Sequence, residues 1–200
     1  MTLSITLAKS EADYIDVARF WYQIYCVLRG VLRDQADHTA QELRDPLMRV
    51  GDLFVARRDG AVAGTVLSTY AKNNPLEDYA DFYELERLSE YPATVAISTK
   101  FMVAPAYRNG SLPIRLLQAT TSKGLRDGIS HTVYDCNPPL DKLFTNIGGK
   151  DHAGVKSHPV FGDVHVMLLA LRDDAKLICA NPHNPLARCY AVLEKETVHV

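Results

Sequence analysis

The stretch "TVAISTKFMVAPAYRNGSLPIRLLQATTSKGLRDG", residues 94–128, constrains the fold of this chain most. Its first half is β-branched and apolar, the pattern of a strand, and Pro105 stops it. Its second half places Leu112, Leu116, Leu117, Thr120 and Leu125 at helical steps, with Pro113 suited to a first turn and Gly128 to a C-terminal stop. A strand that runs directly into a helix leaves the first helical N–H groups unpartnered and aimed into the connecting turn, where the helix dipole adds partial positive charge. Arg108, Asn109, Gly110 and Ser111 fill that turn. A full charge, two side-chain donors and a glycine that admits close backbone approach are the parts of a phosphate cradle. A Gly-Lys-Ser/Thr loop and a three-glycine dinucleotide fingerprint are both absent, so the cradle is of neither kind.

Two hundred residues with 47% hydrophobic content predict a single globular domain over residues 1–200. The formal charge of −2, from 22 basic and 24 acidic residues, argues against a nucleic acid or an anionic membrane surface as partner. The N-terminus lacks the pattern of an export signal, and no apolar run is long enough to span a bilayer. Cys26, Cys136, Cys179 and Cys189 show no paired spacing and read as reduced thiols. A cytoplasmic protein is expected.

Upstream, Tyr14, Val17, Ala18, Trp21, Ile24, Tyr25 and Leu28 keep helical spacing behind a Ser10–Asp13 cap pair, which predicts a long first helix. A second helical stretch, "TAQELRDPLM", is ended or bent by Pro46. "LFVARR" and "AVAGTVLSTY" flank Asp59-Gly60, the signal of a tight antiparallel hairpin. "DYADFYELERLSEYP" is mixed helical, "HTVYDC" a strand, "PLDKLFTNIGG" a short helix and "VHVMLLAL" a strand. "KDHAGVKSHPVFGD" reads as a mobile loop. Asn184 before Pro185 predicts a C-terminal helix over about 184–196. The order implies an α/β (α+β) sheet covered by helices on its faces.

The segment "FMVAPAYRNGSLPIRLL" resembles the central motif of the GNAT acyltransferase superfamily, in which a V-x-P-x-x-R strand end leads into a pyrophosphate-binding helix. "TVYDCNPPLDKLFTNIGGK" resembles that superfamily's next strand and helix. Within it, "VLRGVLRDQADH", "DGAVAGTVL", "STKFMVAP" and "HPVFGDVHVMLLAL" look most like the long-chain N-acyl amino acid synthases, relatives of the acyl-homoserine-lactone synthases. The resemblance covers roughly Tyr22 to Leu171. It implies a mostly antiparallel mixed sheet splayed at its middle, and transfer of a medium or long acyl chain from a carrier thioester to an amine of an amino acid or peptide side chain. The donor would be an acyl-carrier-protein phosphopantetheine thioester or acyl-coenzyme A, and no metal is implied. A short-chain acetyl-coenzyme A enzyme and a non-catalytic acyl-thioester-binding module are the alternatives. Ser111 and Pro113 replace the small residues of the superfamily's R-x-x-G-x-G/A turn, a reduced grip that suits a single phosphate. Phe144 stands where a tyrosine often serves the leaving thiol.

The resemblance implies donor contacts from Phe101, Met102, Val103, Arg108, Asn109, Gly110, Ser111, Leu112, Asn137 and Phe144. Trp21, Tyr25 and Arg29, in and just after the first helix, are expected to contact substrate, as are Ser98 and Lys100, placed by alternation on one side of the central strand. Lys100 needs a carboxylate, from substrate or from the protein. Glu84 or Glu86 is the expected base. His152 and His158 lack partners at metal-ligand spacing. His158 is expected to shape the acceptor pocket.

Overall fold

The computed structural model describes residues 2–74 and 76–190. Leu3–Leu7 alternates half-buried and exposed side chains and forms an edge strand, β1, which sequence reasoning missed in so short a run before a helix. Ser10 and Asp13 form the expected reciprocal capping box, and α1 (Glu11–Trp21) follows. The helix widens without a break into a π-helical segment, Tyr22–Leu28, a form that concentrates at functional sites. Asp59 and Gly60, at φ 50° and 88°, make the primed turn between β2 (Asp52–Arg58) and β3 (Ala61–Tyr70). After α2 (Glu77–Phe82) come β4 (Val95–Val103) and α3 (Leu112–Arg126), with Gly128 at φ 84° behind it. Next are β5 (His131–Cys136), α4 (Asp141–Asn146), β6 (Lys150–His158), β7 (Gly162–Ala170) and α5 (Ala175–Ala180).

The seven strands pair in the order β1-β2-β3-β4-β5-β7-β6. All pairs are antiparallel except β4–β5, which is parallel and holds for only three positions, Val95–His131 to Ile97–Val133. Beyond Ile97 the two strands part, and the sheet opens into a fork. Trp21, Leu53, Val55 and Leu67 fill the core on the α1 side. Leu85, Ile97 and Val133 continue it beside α2. The other face packs Phe54, Val66 and Leu116, then Leu125, Phe144 and Ile147, against α3 and α4.

A β-bulge sits on the β4 side of the fork. Thr65 pairs with Met102 and Leu67 with Thr99, so two steps on β3 face three on β4, and Lys100 takes φ 53°. Trp21 Nε1 donates to Thr65 Oγ1 at 3.0 Å, and that hydroxyl donates to the Lys100 carbonyl at 3.0 Å, so the bulge is buttressed from the core. The extra residue corrects the expectation of simple alternation. Ser98, opposite Ser68 and two residues past Ala96, lies on the α3 face, whereas Lys100 is turned to the α1 face against Trp21 and Tyr25.

Two further expectations need correction. The helix over residues 39–48 does not form, because the Asp37 carboxylate accepts from the Thr39 and Ala40 N–H groups and Asp37 pairs with Glu42 as an isolated bridge. Only a 3₁₀ turn remains, Pro46–Arg49, capped by Asp45. Residues 150–158 of the expected loop are strand β6. As an edge strand it needs backbone pairing with β7 on one side rather than an apolar alternation, and a bulge between Asp151 and Gly154 accommodates its glycine. The C-terminal helix is seen at 187–190, with Asn184 Oδ1 accepting from the Leu186 N–H at 2.9 Å, and its continuation lies outside the described residues. Among the described residues no helix is long and apolar enough to cross a membrane.

Candidate active site

A cavity of about 380 Å³ runs through the fork, and its walls come from both faces of the sheet. On the α3 side it is lined by Val66, Ala96, Leu117, Ile129, Ile147 and Leu169. On the α1 side its wall is charged and aromatic, with Tyr25, Arg29, Asp45, Lys100, Asp135 and His158. A continuous sheet would divide these two environments. The early end of β4–β5 pairing joins them.

The charged and aromatic wall draws on five separate segments. Lys100 Nζ lies 2.8 Å from Asp45 Oδ2, with both side chains largely buried. Burial works against the ammonium, but the Asp45 carboxylate and the neighbouring Tyr25 outweigh it and raise the lysine above its ordinary value. The lysine therefore has its carboxylate from inside the protein. Asp135, on β5 past its last position shared with β4, accepts a hydrogen bond from Tyr83 Oη at 2.5 Å. Burial, reinforced by the Asp135 charge, holds the Tyr83 phenol protonated well above its ordinary range.

His158 Nδ1 accepts from the Val160 and Phe161 N–H groups at 3.0 and 3.3 Å, so the neutral ring carries its proton on Nε2. Burial lowers its pKa, and the ring stacks on Phe161 at 4.6 Å. His158 is thus a hydrogen-bond donor. The Arg29 guanidinium lies 5.3 Å from the Phe161 ring and 5.9 Å from Tyr25, and no carboxylate pairs with it among the described residues.

No protein-family model matches the sequence, and no curated protein matches it. Solved structures do. The coenzyme A-dependent acyl-homoserine lactone synthase BjaI, determined with MTA, is 13% identical and superposes with a TM-score of 0.71 over 95% of this chain and 100% of its own. The fold is that of the acyl-homoserine-lactone synthases. LasI, another such synthase, gives 0.68 at 12% identity over 86% of this chain and 91% of its own. FeeM, an N-acyl amino acid synthase from uncultured soil microbes, gives 0.65 at 14% identity over 88% and 94%. At these identities the likeness is one of fold, and it includes the splayed, mostly antiparallel sheet expected from the sequence.

Within this fold the expected residues separate into three groups. Tyr25, Arg29, Ser98, Lys100, Phe101, Met102, Asn137, Phe144 and His158 all line the cavity. Phe144 packs against Phe101 and Tyr134 at 5.8 and 4.5 Å between centroids. Asn137 Nδ2 donates to the Phe161 carbonyl at 3.2 Å.

The turn forms a second group outside the cavity wall. Arg108, Asn109, Gly110 and Ser111 are exposed, and Ser111 gives no side-chain cap to α3, which leaves the first amides of that helix uncapped by the protein's own side chains. Arg108 Nε donates to the Val103 carbonyl at 2.9 Å, and Val103 and Leu112 pack in the core under the turn.

The third group lies apart. Trp21 is fully buried and serves the bulge. Glu86 is exposed. Glu84 is paired with Lys156 at 2.7 Å and Arg87 at 2.5 Å, which together lower its pKa to about 2, and neither glutamate lines the cavity.

Sequence reasoning passed over Asp45, Tyr83 and Asp135. The available signals were an Asp-Pro step at a turn for Asp45 and, for Asp135, a carboxylate inside the short strand "HTVYDC", where half-burial demands a partner. Among the described residues no group of three metal-ligating side chains could hold an ion.

Proposed function

We propose that this chain is an N-acyltransferase that moves a medium or long acyl group from a phosphopantetheine thioester to the amine of an amino acid or peptide. The observation that carries the reading is the single cavity through the fork, apolar on one face of the sheet and charged on the other. Acyl donor and polar acceptor need such different surroundings at one point.

The edge of β4 beyond Ile97 has no strand partner on the β5 side. The donor's pantetheine amides pair with that edge as an inserted strand does. Its phosphate meets the uncapped start of α3 and Arg108, and the thioester carbon lies at the fork. The acyl chain enters the apolar arm of the cavity, whose whole volume of about 380 Å³ lies in the range of about 300–1,000 Å³ usual for small-molecule sites.

The acceptor enters from the charged side, where Arg29 meets an acidic group on it. Asp135 takes the amine proton as the N–C bond forms. The tetrahedral intermediate then breaks its C–S bond. A thiolate with an ordinary pKa of roughly 8.5 leaves without a strong acid, so Phe144 at the superfamily's tyrosine position is compatible with transfer. Coenzyme A and acyl carrier protein both present this arm. The CoA dependence of BjaI supports the former, and the cradle without the second small residue supports the latter. A cytoplasmic setting follows from donors of this kind.

Incubation of the protein with acyl-coenzyme A and acyl-carrier-protein series of two to sixteen carbons and a panel of amines, read by mass spectrometry, tests the proposal. An amide that forms only with longer chains is expected. No amide with any donor would overturn it.

A further inference from the structure

Tyr83 is buried in an apolar cluster with Leu85, Ile97, Val133 and Val166, a place that a phenylalanine would fill without a polar atom to satisfy. Its phenol instead donates to Asp135 Oδ1 at 2.5 Å, and among the described residues that is the one hydrogen bond on this carboxylate. Oδ1 is thereby taken, and Oδ2 is left to the cavity that Asp135 lines. The tyrosine is itself fixed. Its ring stacks on Tyr79 at 5.9 Å between centroids and packs at a steep angle against Phe82 at 5.3 Å. Lys156 Nζ on β6 donates to the Phe82 carbonyl at 2.8 Å and lies 2.7 Å from Glu84 Oε1, so the residues on both sides of Tyr83 are tied to the edge of the sheet. A donor anchored in this way holds the carboxylate rather than following it.

We infer that Tyr83 is a positioning residue for acyl transfer: it holds Asp135 by one oxygen, so that the other meets the acceptor amine. The inference rests on the reading above, in which Asp135 takes the amine proton. Burial and the Asp135 charge keep the phenol protonated, so it remains a donor across the working pH range. Tyr25 from the π-helical segment, His158 from β6 and Cys136 on the same strand also feel the Asp135 charge, but none of them hydrogen-bonds it, and Lys100 on β4 is committed to Asp45. Two separable consequences follow from losing the phenol. Lost orientation slows the chemical step. Lost hydrogen bonding to the charged carboxylate makes it easier to protonate, which moves the acid limb of the rate profile to higher pH.

The test combines Tyr83→Phe with Asp135→Asn, using the donor and amine that give the most amide. Tyr83→Phe is expected to lower kcat about tenfold with little change in either KM, and to move the acid limb upward. In the Asp135→Asn background the same substitution should cost less than about twofold, because the group it acts through is gone. Equal losses in both backgrounds, or an acid limb that stays fixed, would overturn the inference. Replacement of Tyr83 by 3-fluorotyrosine, which keeps the ring and strengthens the donor, should move the limb the other way and covers the case in which Tyr83→Phe does not fold. Asp135→Asn at full activity would sink the base assignment; a large loss there with no response to Tyr83→Phe would sink this inference alone.

A second readout needs no turnover. Carbon-13 carboxyl spectra of aspartate-labelled protein, with the Asp135 signal identified by its absence in Asp135→Asn, follow the same protonation directly. A signal that titrates at higher pH in Tyr83→Phe than in the wild type is expected, and an unmoved one overturns the inference. A moved signal without amide formation would sink the transferase reading and leave the hold of Tyr83 on Asp135 standing. Amide formation with an unmoved signal would do the reverse.

Discussion

The turn at Arg108–Ser111 and the charged wall of the cavity both gather polar and charged groups, and they are built in opposite ways. The turn uses consecutive residues, exposed, that lead into a helix start with no side-chain cap from Ser111. The wall uses Asp45, Lys100, Asp135 and Arg29 from four segments, and its central pair is largely buried. Exposed charge acts on a ligand at little cost to the fold. Buried charge is coupled to stability, because each partner depends on the other.

The largest expected effect breaks that coupling. Asp45→Asn keeps an oxygen for the Leu47 N–H but strands the Lys100 ammonium in the core, and should cost about 3 kcal/mol or more of stability. Urea unfolding midpoints measure it. The double variant with Lys100→Met should recover most of the loss, and a cost below about 1 kcal/mol would put the pair among ordinary surface ion pairs.

Next in size is Asp135→Asn. If Asp135 accepts the amine proton, kcat/KM falls by about 10²–10⁴ with the far-ultraviolet spectrum unchanged. A fall of less than tenfold would remove Asp135 from the chemistry.

This contrast also explains what could be read from residue order. The strand, turn and helix from Val95 to Arg126, the Asp59-Gly60 hairpin and the Ser10–Asp13 cap are local devices, each declared within a few residues. The charged wall exists only after β5 has come to lie beside β4 and the segment around Asp45 has folded under Lys100, so no window of sequence contains it. The bulge at Lys100 is a further case. One extra residue reverses the parity of β4, and nothing in "ISTKFMV" announces it, because it is imposed by the register with β3 and by the Trp21–Thr65 hydrogen bonds. Edge strands β1 and β6 went unread because pairing on a single side demands little of their side chains.

A smaller effect probes the turn. If Arg108 meets the donor's phosphate, Arg108→Ala raises the KM for the thioester donor about tenfold while kcat changes little, because such a contact lies away from the reacting carbon. Unequal losses for coenzyme A and carrier-protein donors would show which of them the cradle fits. An unchanged KM for both would mean that the exposed turn, unlike the buried wall, handles no ion.

The smallest effect concerns Glu84, which sequence reasoning offered as a base. Lys156 and Arg87 lower its pKa from the ordinary 4.5 to about 2, so it holds its charge through the whole working range of an enzyme and is a weak proton acceptor. A carboxylate whose pKa is depressed in the folded state stabilises that state above its unfolded value and loses the contribution as pH falls through the folded one. The difference in melting temperature between the wild type and Glu84→Gln should therefore be constant above about pH 5 and close between about pH 4.5 and pH 2. Its sign is set by two exposed ion pairs and its size is reduced by solvent screening. The acid limb of the kcat/KM profile should be the same in both proteins. A limb that moves in Glu84→Gln and stays fixed in Asp135→Asn would transfer the base from the cavity wall to the surface and reverse the division of labour between them.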